Sequence, residues 1–287
     1  MAKVDITRVG LFDLFNYPLL TFQYFIQMAL FLLVVGGFYG ILNKTGKYNE
    51  LVEKLAKKLK GKEIAFLVIV SFILAAFSSV FGFSIVMFIF IPFLISVVLL
   101  LGYDKIVAFL VTCVSILIGV IGATYNIYVS GYINQALSTE YTDLIIAKIA
   151  IFVIAFALYL MFTLKYANKV KKNSKNSIMD GKTDDVFLTK DKAAAKKKAW
   201  PLLVVLGIVF VLFFMASVPW SDAFGIKIFS TFNDTVTAAK IGGYTVWSFL
   251  LGEVGALGTW YFAELTQILI MASVAIALIY RIKVDAA

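Results

Sequence analysis

The chain has 287 residues, 62% of them apolar and 15% charged, the composition of an integral membrane protein with length for about six or seven crossings plus loops. Its net charge of +9 gathers in two lysine-rich loops, which marks cytoplasmic loops facing anionic headgroups and not a nucleic-acid surface. Histidine is absent and Cys113 is the single cysteine, which excludes His-based triads, histidine metal sites and an intramolecular disulfide.

In chain order, residues 1–18 read as an exposed to interfacial N-terminus without the pattern of a cleavable signal. Residues 14–43 carry no charge, and Asn16, Tyr17 and Pro18 put the span proper at about 20–42. It ends in Gly36-Gly37-Phe38-Tyr39-Gly40, whose glycines permit close helix packing or a kink, packing being the expectation. Residues 49–62 form an amphipathic helix with Leu51, Val52, Leu55, Ala56 and Leu59 on one face and Lys54, Lys57, Lys58 and Lys60 on the other. Such a helix is expected to lie flat on the cytoplasmic surface.

Residues 64–103 are forty in a row without a charge, broken by Ser78-Ser79-Val80-Phe81-Gly82-Phe83-Ser84. As one helix they would reach ~60 Å, twice the ~30 Å hydrocarbon core, so the chain turns back within the run. The arm 64–77 would reach only ~21 Å, which suits a re-entrant hairpin, 64–101, with its tip at the serines and glycine. Two ordinary short spans fit the residues equally well. Residues 106–138 are again uncharged, but Gly119, Gly122, Ala123, Thr124 and Asn126 predict a broken helix over 105–130. Residues 144–164 complete a bundle over 19–164. The linker 165–199 holds eleven lysines against Asp180, Asp184, Asp185 and Asp191. Trp200 and Trp220 bracket the next span, and the last helix is expected over about 259–280 within the C-terminal segment 200–287. Glu264 is the one acid placed within a span, either as an interfacial side chain beside Trp260 and Tyr261 or as a deeper proton-coupling acid.

The fold class is thus an all-α integral membrane protein with about five transmembrane helices plus a re-entrant hairpin, or seven spans. Loop charge predicts a multi-pass protein of the cell membrane, N-terminus outside and C-terminus cytoplasmic.

Four landmarks in order carry a resemblance. They are Gly36-Gly37-Phe38-Tyr39-Gly40 with Lys44-Thr45-Gly46; Phe81-Gly82 through Pro92 to Leu101-Gly102-Tyr103-Asp104; Gly119 to Asn126; and Gly258-Thr259-Trp260-Tyr261-Phe262-Ala263-Glu264-Leu265. Together they resemble the YfcC-type anaerobic dicarboxylate carriers of the ion transporter superfamily, over nearly the whole chain.

The resemblance implies a secondary transporter for small carboxylate-bearing solutes such as dicarboxylates or amino acids. It implies two inverted repeats, each with a hairpin and a broken helix, and elevator-like motion in dimers. Substrate would meet the hairpin tip at Ser78, Ser79 and Gly82 and the broken helix at Gly122, Thr124 and Asn126. No cofactor is implied beyond a coupling Na⁺ or H⁺. Three departures shape the expectation. Ile85 and Val86 stand where the family places paired acids, Asn126-Ile127 where it has Asn-Pro, and one repeat is expected here instead of two. A homo-oligomer or a second chain would then supply the other repeat. The alternative is a non-transporting membrane scaffold or accessory subunit using its lysine-rich loops on lipid or a partner. An enzyme is not expected, since Glu253 and Glu264 have no nucleophile or metal-ligand set beside them in the sequence.

Overall fold

The computed structural model describes residues 13–82, 86–140, 142–179, 188, 198–247 and 254–282. The N-terminal residues 1–12, Ile85, most of the lysine-rich linker, Glu253 and the last five residues lie outside the described set. The described residues are helical, apart from loops and one isolated bridge between Ile241 and Tyr244. In order they form α1 (Asp13–Lys44), α2 (Lys47–Leu59), α3 (Glu63–Phe81), α4 (Ile91–Leu100), α5 (Lys105–Ile121), α6 (Ile127–Leu137) and α7 (Ile145–Lys172). After the linker come α8 (Trp200–Ser217), the short α9 (Trp220–Phe224), α10 (Ile228–Ala238) and α11 (Phe262–Tyr280).

Helices α1, α3, α7, α8 and α11 are long and apolar enough to cross a membrane. Their outward faces remain apolar: Ile146, Ile154 and Phe162 on α7 are all exposed. A helix that is apolar all round yet uncovered by protein belongs in lipid, and the protein is a multi-pass membrane protein.

Two pairings organise the bundle. Helix α11 runs against α1 and α8, with Phe31 near both Phe213 (6.5 Å) and Phe262 (5.7 Å). Helix α3 runs against the second half of α5, which is backed by α7. Between α1 and α2 the buried Thr45 makes the turn: its hydroxyl donates to the Leu42 carbonyl (2.6 Å) and accepts from the Tyr48 amide (3.3 Å).

The apolar face of α2 covers protein, a difference from a helix resting that face on lipid. Tyr48, Val52 and Ala56 are buried, and the Tyr48 ring meets Tyr39 (5.7 Å) and Phe93 (6.5 Å). Lys54, Lys57, Lys58 and Lys60 stay outward. Glu50 lies 2.7 Å from Lys47 and 2.6 Å from Lys54. Lys47 foremost, then Lys54, lower its carboxyl from an ordinary 4.5 to about 2.

The long uncharged run is a hairpin whose proportions differ from the sequence expectation. Its first arm does not stop at residue 77 but continues as α3 through Ser78 and Ser79 to Phe81, nineteen residues, a full crossing in length. The short arm is the return, a 3₁₀ turn (Val86–Ile89) followed by ten-residue α4, ~15 Å long. The chain turns at Gly82, whose φ of 73° is open to glycine at little cost. Both arms share an apolar cluster of Leu74, Met87 and Ile91 with Val218 at the end of α8. From α1, the Tyr39 hydroxyl donates to the Ile89 carbonyl (2.6 Å), occupying an acceptor of the 3₁₀ turn.

The hairpin's base is fixed by Asp104, which is 1% exposed. One carboxylate oxygen caps α5 by accepting the Val107 amide (2.8 Å). The other accepts hydroxyls from Tyr166 on α7 and Ser177 just beyond it, each at 2.6 Å. Lys171 donates to the Leu101 carbonyl and stands 5.0 Å from the centre of the Tyr103 ring. A buried carboxylate is tolerated here because charge-assisted donors surround it.

Asp104→Ala removes the cap and strands two hydroxyls, so it should cost about 2–4 kcal/mol, read as a lower melting temperature in lipid nanodiscs. For Glu50 the depressed carboxyl means its contribution is whole above pH 4.5 and is lost as pH falls through about 2. Corrected amide exchange in α2 should therefore be flat above that window and rise within it, and Glu50→Gln should abolish the step.

Candidate functional site

Helix α5 contains one π turn, Leu110–Val114, before α-helical geometry resumes at Ser115. The widened turn is satisfied by side chains. The Ser115 amide reaches back to the Leu110 carbonyl, and its hydroxyl donates to the Val111 carbonyl (2.7 Å). The Thr112 hydroxyl takes the Ala108 carbonyl (2.7 Å). Helix α5 then ends at Ile121, the chain is non-helical over 122–126, and α6 starts at Ile127.

The break is positioned by close approach. A Cβ on Gly119 would stand 2.2 Å from the Ala75 carbonyl oxygen and 2.6 Å from Ser78 Cβ, so only glycine lets α5 lie against α3 here. A Cβ on Gly122 would meet Phe152 of α7 at 2.6 Å. By contrast, a Cβ on Gly36, Gly37 or Gly40 meets nothing within 4 Å. Among the described residues, therefore, the packing expected of the α1 glycines is not made; the close helix contact belongs to Gly119.

Across this contact the last turn of α3 and the broken helix are tied together. The Ser79 hydroxyl donates to the Gly122 carbonyl (2.7 Å) and lies 3.1 Å from the Thr124 hydroxyl. The Ser79 carbonyl accepts the amides of Thr124 (3.0 Å) and Tyr125 (3.3 Å). Asn126 donates its Nδ2 to the Ser78 carbonyl (3.0 Å) while its Oδ1 accepts the Val129 amide (3.0 Å), capping α6. Ser78, Ser79 and Asn126 are at most 1% exposed and Thr124 is 8% exposed. Among the described residues Ser78 Oγ is buried without a hydrogen-bond partner, as are Ser96 Oγ and Ser217 Oγ, and such a group costs free energy unless something else contacts it.

Five of the residues singled out in the sequence, Ser78, Ser79, Gly122, Thr124 and Asn126, thus meet at one junction. Gly82 makes the turn just beyond it, its amide on the Ser78 carbonyl (3.2 Å). Val86 begins the 3₁₀ turn of the return arm, and Ile85 is outside the described residues. Glu264 sits elsewhere, in the first turn of α11, where its carboxylate accepts the Tyr261 amide (2.9 Å) in a capping box. That bond accounts for its place in the sequence, at the third position of a helix starting at 262 instead of 259.

Sequence patterning does not single out Ser71 and Tyr159, which the structure joins to this region. Their hydroxyls are 2.9 Å apart, and Tyr159 donates to the Leu110 carbonyl (2.9 Å) at the π turn. The available signal is spacing: Ser71 and Ser78 are seven apart and share a face of α3.

Chemically, the junction gathers the C-terminal carbonyls of α3 and α5 beside the N-terminus of α6. Carbonyl and hydroxyl oxygens suit a desolvated monovalent cation, and amides at a helix start suit a carboxylate. Among the described residues no three Cys, Asp or Glu side chains gather as a metal-ligand group. The cavity of about 270 Å³ between the hairpin and α8 is walled by apolar groups such as Phe77, Phe90, Phe213 and Phe214, and it offers a carboxylate nothing to bind.

Gly119→Ala should lower the melting temperature by an amount equivalent to about 1–3 kcal/mol, because backbone opposes the new methyl. Gly36→Ala, made in the same preparation, should change it by less than about 0.5 kcal/mol.

The family model of the C4-dicarboxylate anaerobic carriers matches residues 10–286. A protein of Escherichia coli K12, YfcC, whose name proposes basic amino acid antiport, is 27% identical over 191 residues. That alignment covers 65% of this chain and 37% of the relative. An uncharacterized protein of Haemophilus influenzae is 27% identical over 146 residues, covering 51% of this chain and 29% of the relative. The chain therefore aligns with at most little more than a third of the length of these relatives. No solved structure matches it. With the match running from residue 10 to residue 286, the chain belongs to the C4-dicarboxylate anaerobic carrier family.

Proposed function

We propose that the chain is a secondary transporter, or a part of one, and that it holds a small carboxylate-bearing solute between Ser78–Ser79 of the hairpin and Gly122–Asn126 of the broken helix. The observation that carries this reading is the buried Ser78 hydroxyl without a partner at a junction where two helix ends meet a helix start. Family membership supports transport; the solute class is our reading, with a C4-dicarboxylate suggested by the family description and a basic amino acid by the YfcC name. Opening the junction would release the Thr124 and Tyr125 amides from Ser79 for a carboxylate. The carbonyls of Ser78, Ser79 and Gly122 would serve a coupling Na⁺; for a coupling H⁺, Glu264 is the weaker candidate because its carboxylate already caps α11. Polar groups at the hairpin tip need protein around them wherever they lie within the hydrocarbon.

In this reading the lysine-rich segments face the cytoplasm, with the N-terminus outside and the C-terminus inside the cell membrane. A homo-oligomer or a second chain would complete the solute site.

The test compares two neighbouring serines by equilibrium binding of radiolabelled fumarate, succinate and arginine to the chain in nanodiscs. Ser78→Ala should leave thermal stability unchanged or slightly raised, since it removes an unpartnered hydroxyl, yet weaken solute binding by roughly five- to tenfold. Ser79→Ala should lower both. Ser78→Ala binding solute like the unsubstituted chain would count against the site. Absence of binding by any of these solutes would favour the scaffold reading.

A further inference from the structure

We infer that Tyr159 is a positioning residue for the junction, acting through the π turn of α5. The inference rests on the transporter reading for its functional meaning, though not for its geometry.

One hydroxyl joins three helices. Tyr159 on α7 donates to the Leu110 carbonyl on α5 (2.9 Å) and lies 2.9 Å from Ser71 Oγ on α3, which is buried at 0% exposure. With the tyrosine proton on Leu110, the serine proton falls to the tyrosine oxygen, so both hydroxyls are used. The Leu110 carbonyl is the acceptor that distinguishes the widened turn, because it already holds the Ser115 amide five residues on. Tyr159 fills its second lone pair, and Ser115 Oγ fills the Val111 carbonyl that an ordinary turn would have bonded through an amide.

The wide turn sets the rotation of every residue beyond it in α5. A π turn inserts one residue into the helical ladder, and one residue turns a helix by ~100°. If α5 relaxed to an unbroken α-helix, everything beyond Ser115 would rotate by that amount relative to α3. Gly119 would no longer face Ala75 and Ser78, and the Gly122 carbonyl would leave Ser79 Oγ. Ser71 and Ser78 lie seven residues apart on one face of α3, so the tyrosine contact and the junction are two points along the same seam.

Cys113, the single cysteine, lies within the π turn and reports on it without engineering. The experiment uses the whole chain in lipid nanodiscs, unsubstituted and as Tyr159→Phe, which keeps the ring beside Phe156. Expected are an altered Cys113 alkylation rate and amide exchange over 110–126 faster by roughly three- to tenfold, with α1 and α11 unchanged. Adding Ser115→Ala should give a less than additive effect, since both act on one turn. Unchanged exchange over 122–126, or a rise spread evenly along the chain, overturns the inference. These readouts contain no solute, so they survive a failure of the transport reading. Where the unsubstituted chain binds solute, Tyr159→Phe should weaken binding more than a substitution in α1 or α11 that lowers the melting temperature equally; unaltered affinity despite faster exchange at 122–126 overturns the positioning role.

Discussion

The approach of Gly119 to Ala75 and Ser78 is the contact on which the rest depends. Two helices separated by an ordinary side chain could not bring their backbones close enough for Ser79 Oγ to reach the Gly122 carbonyl, or for Asn126 to reach the Ser78 carbonyl. In lipid there is little hydrophobic drive to press apolar helices together, so close backbone contact and hydrogen bonds across the seam carry the association. Removing the Cβ at one position thus makes the polar junction possible. The Thr124 and Tyr125 amides and the Gly122 carbonyl, freed at the break, are satisfied there by Ser79 of α3 instead of by water.

The seam is held at further points, with different chemistry at each. In its middle, Tyr159 and Ser71 tie α7 and α3 to the π turn. At the base of the hairpin, Asp104 gathers an amide and two hydroxyls. On the opposite side, Tyr39 holds the return arm to α1. At the serine end of α3, among the described residues, the Ser78 hydroxyl stays without a hydrogen-bond partner, as do those of Ser96 and Ser217 elsewhere. A scaffold would be expected to fill such a position with an apolar side chain, whereas a solute site has reason to keep it polar.

The spans are legible in the sequence because uncharged runs and lysine-rich interruptions report directly on what lipid accepts. Helix breaks are legible for a similar reason: Gly119, Gly122, Thr124 and Asn126 thin the apolar character of 106–138. Contact is harder to read. Gly36, Gly37 and Gly40 look like a packing motif yet face open space, while Gly119 carries the closest approach. A glycine's use depends on which face the helix turns inward, and a π turn resets that face without a composition signal of its own. The proportions of the hairpin arms are hidden because Ser78 and Ser79 have the look of tip residues. Serine is tolerated in the last turn of a helix when its polar groups are satisfied, and here Thr124, Tyr125 and Asn126 satisfy the carbonyls across the seam. The role of Glu264 turns on a three-residue shift in a helix start, which periodicity does not resolve.

The central claim is that the junction of α3 with the broken helix opens to receive a carboxylate-bearing solute. The most direct measurement is alkylation of Asn126→Cys, in a chain with Cys113→Ser, with and without fumarate, succinate or arginine. The account predicts that at least one of these solutes slows the reaction at residue 126, while an uncharged sugar leaves it unchanged. An identical rate with every carboxylate solute would contradict it.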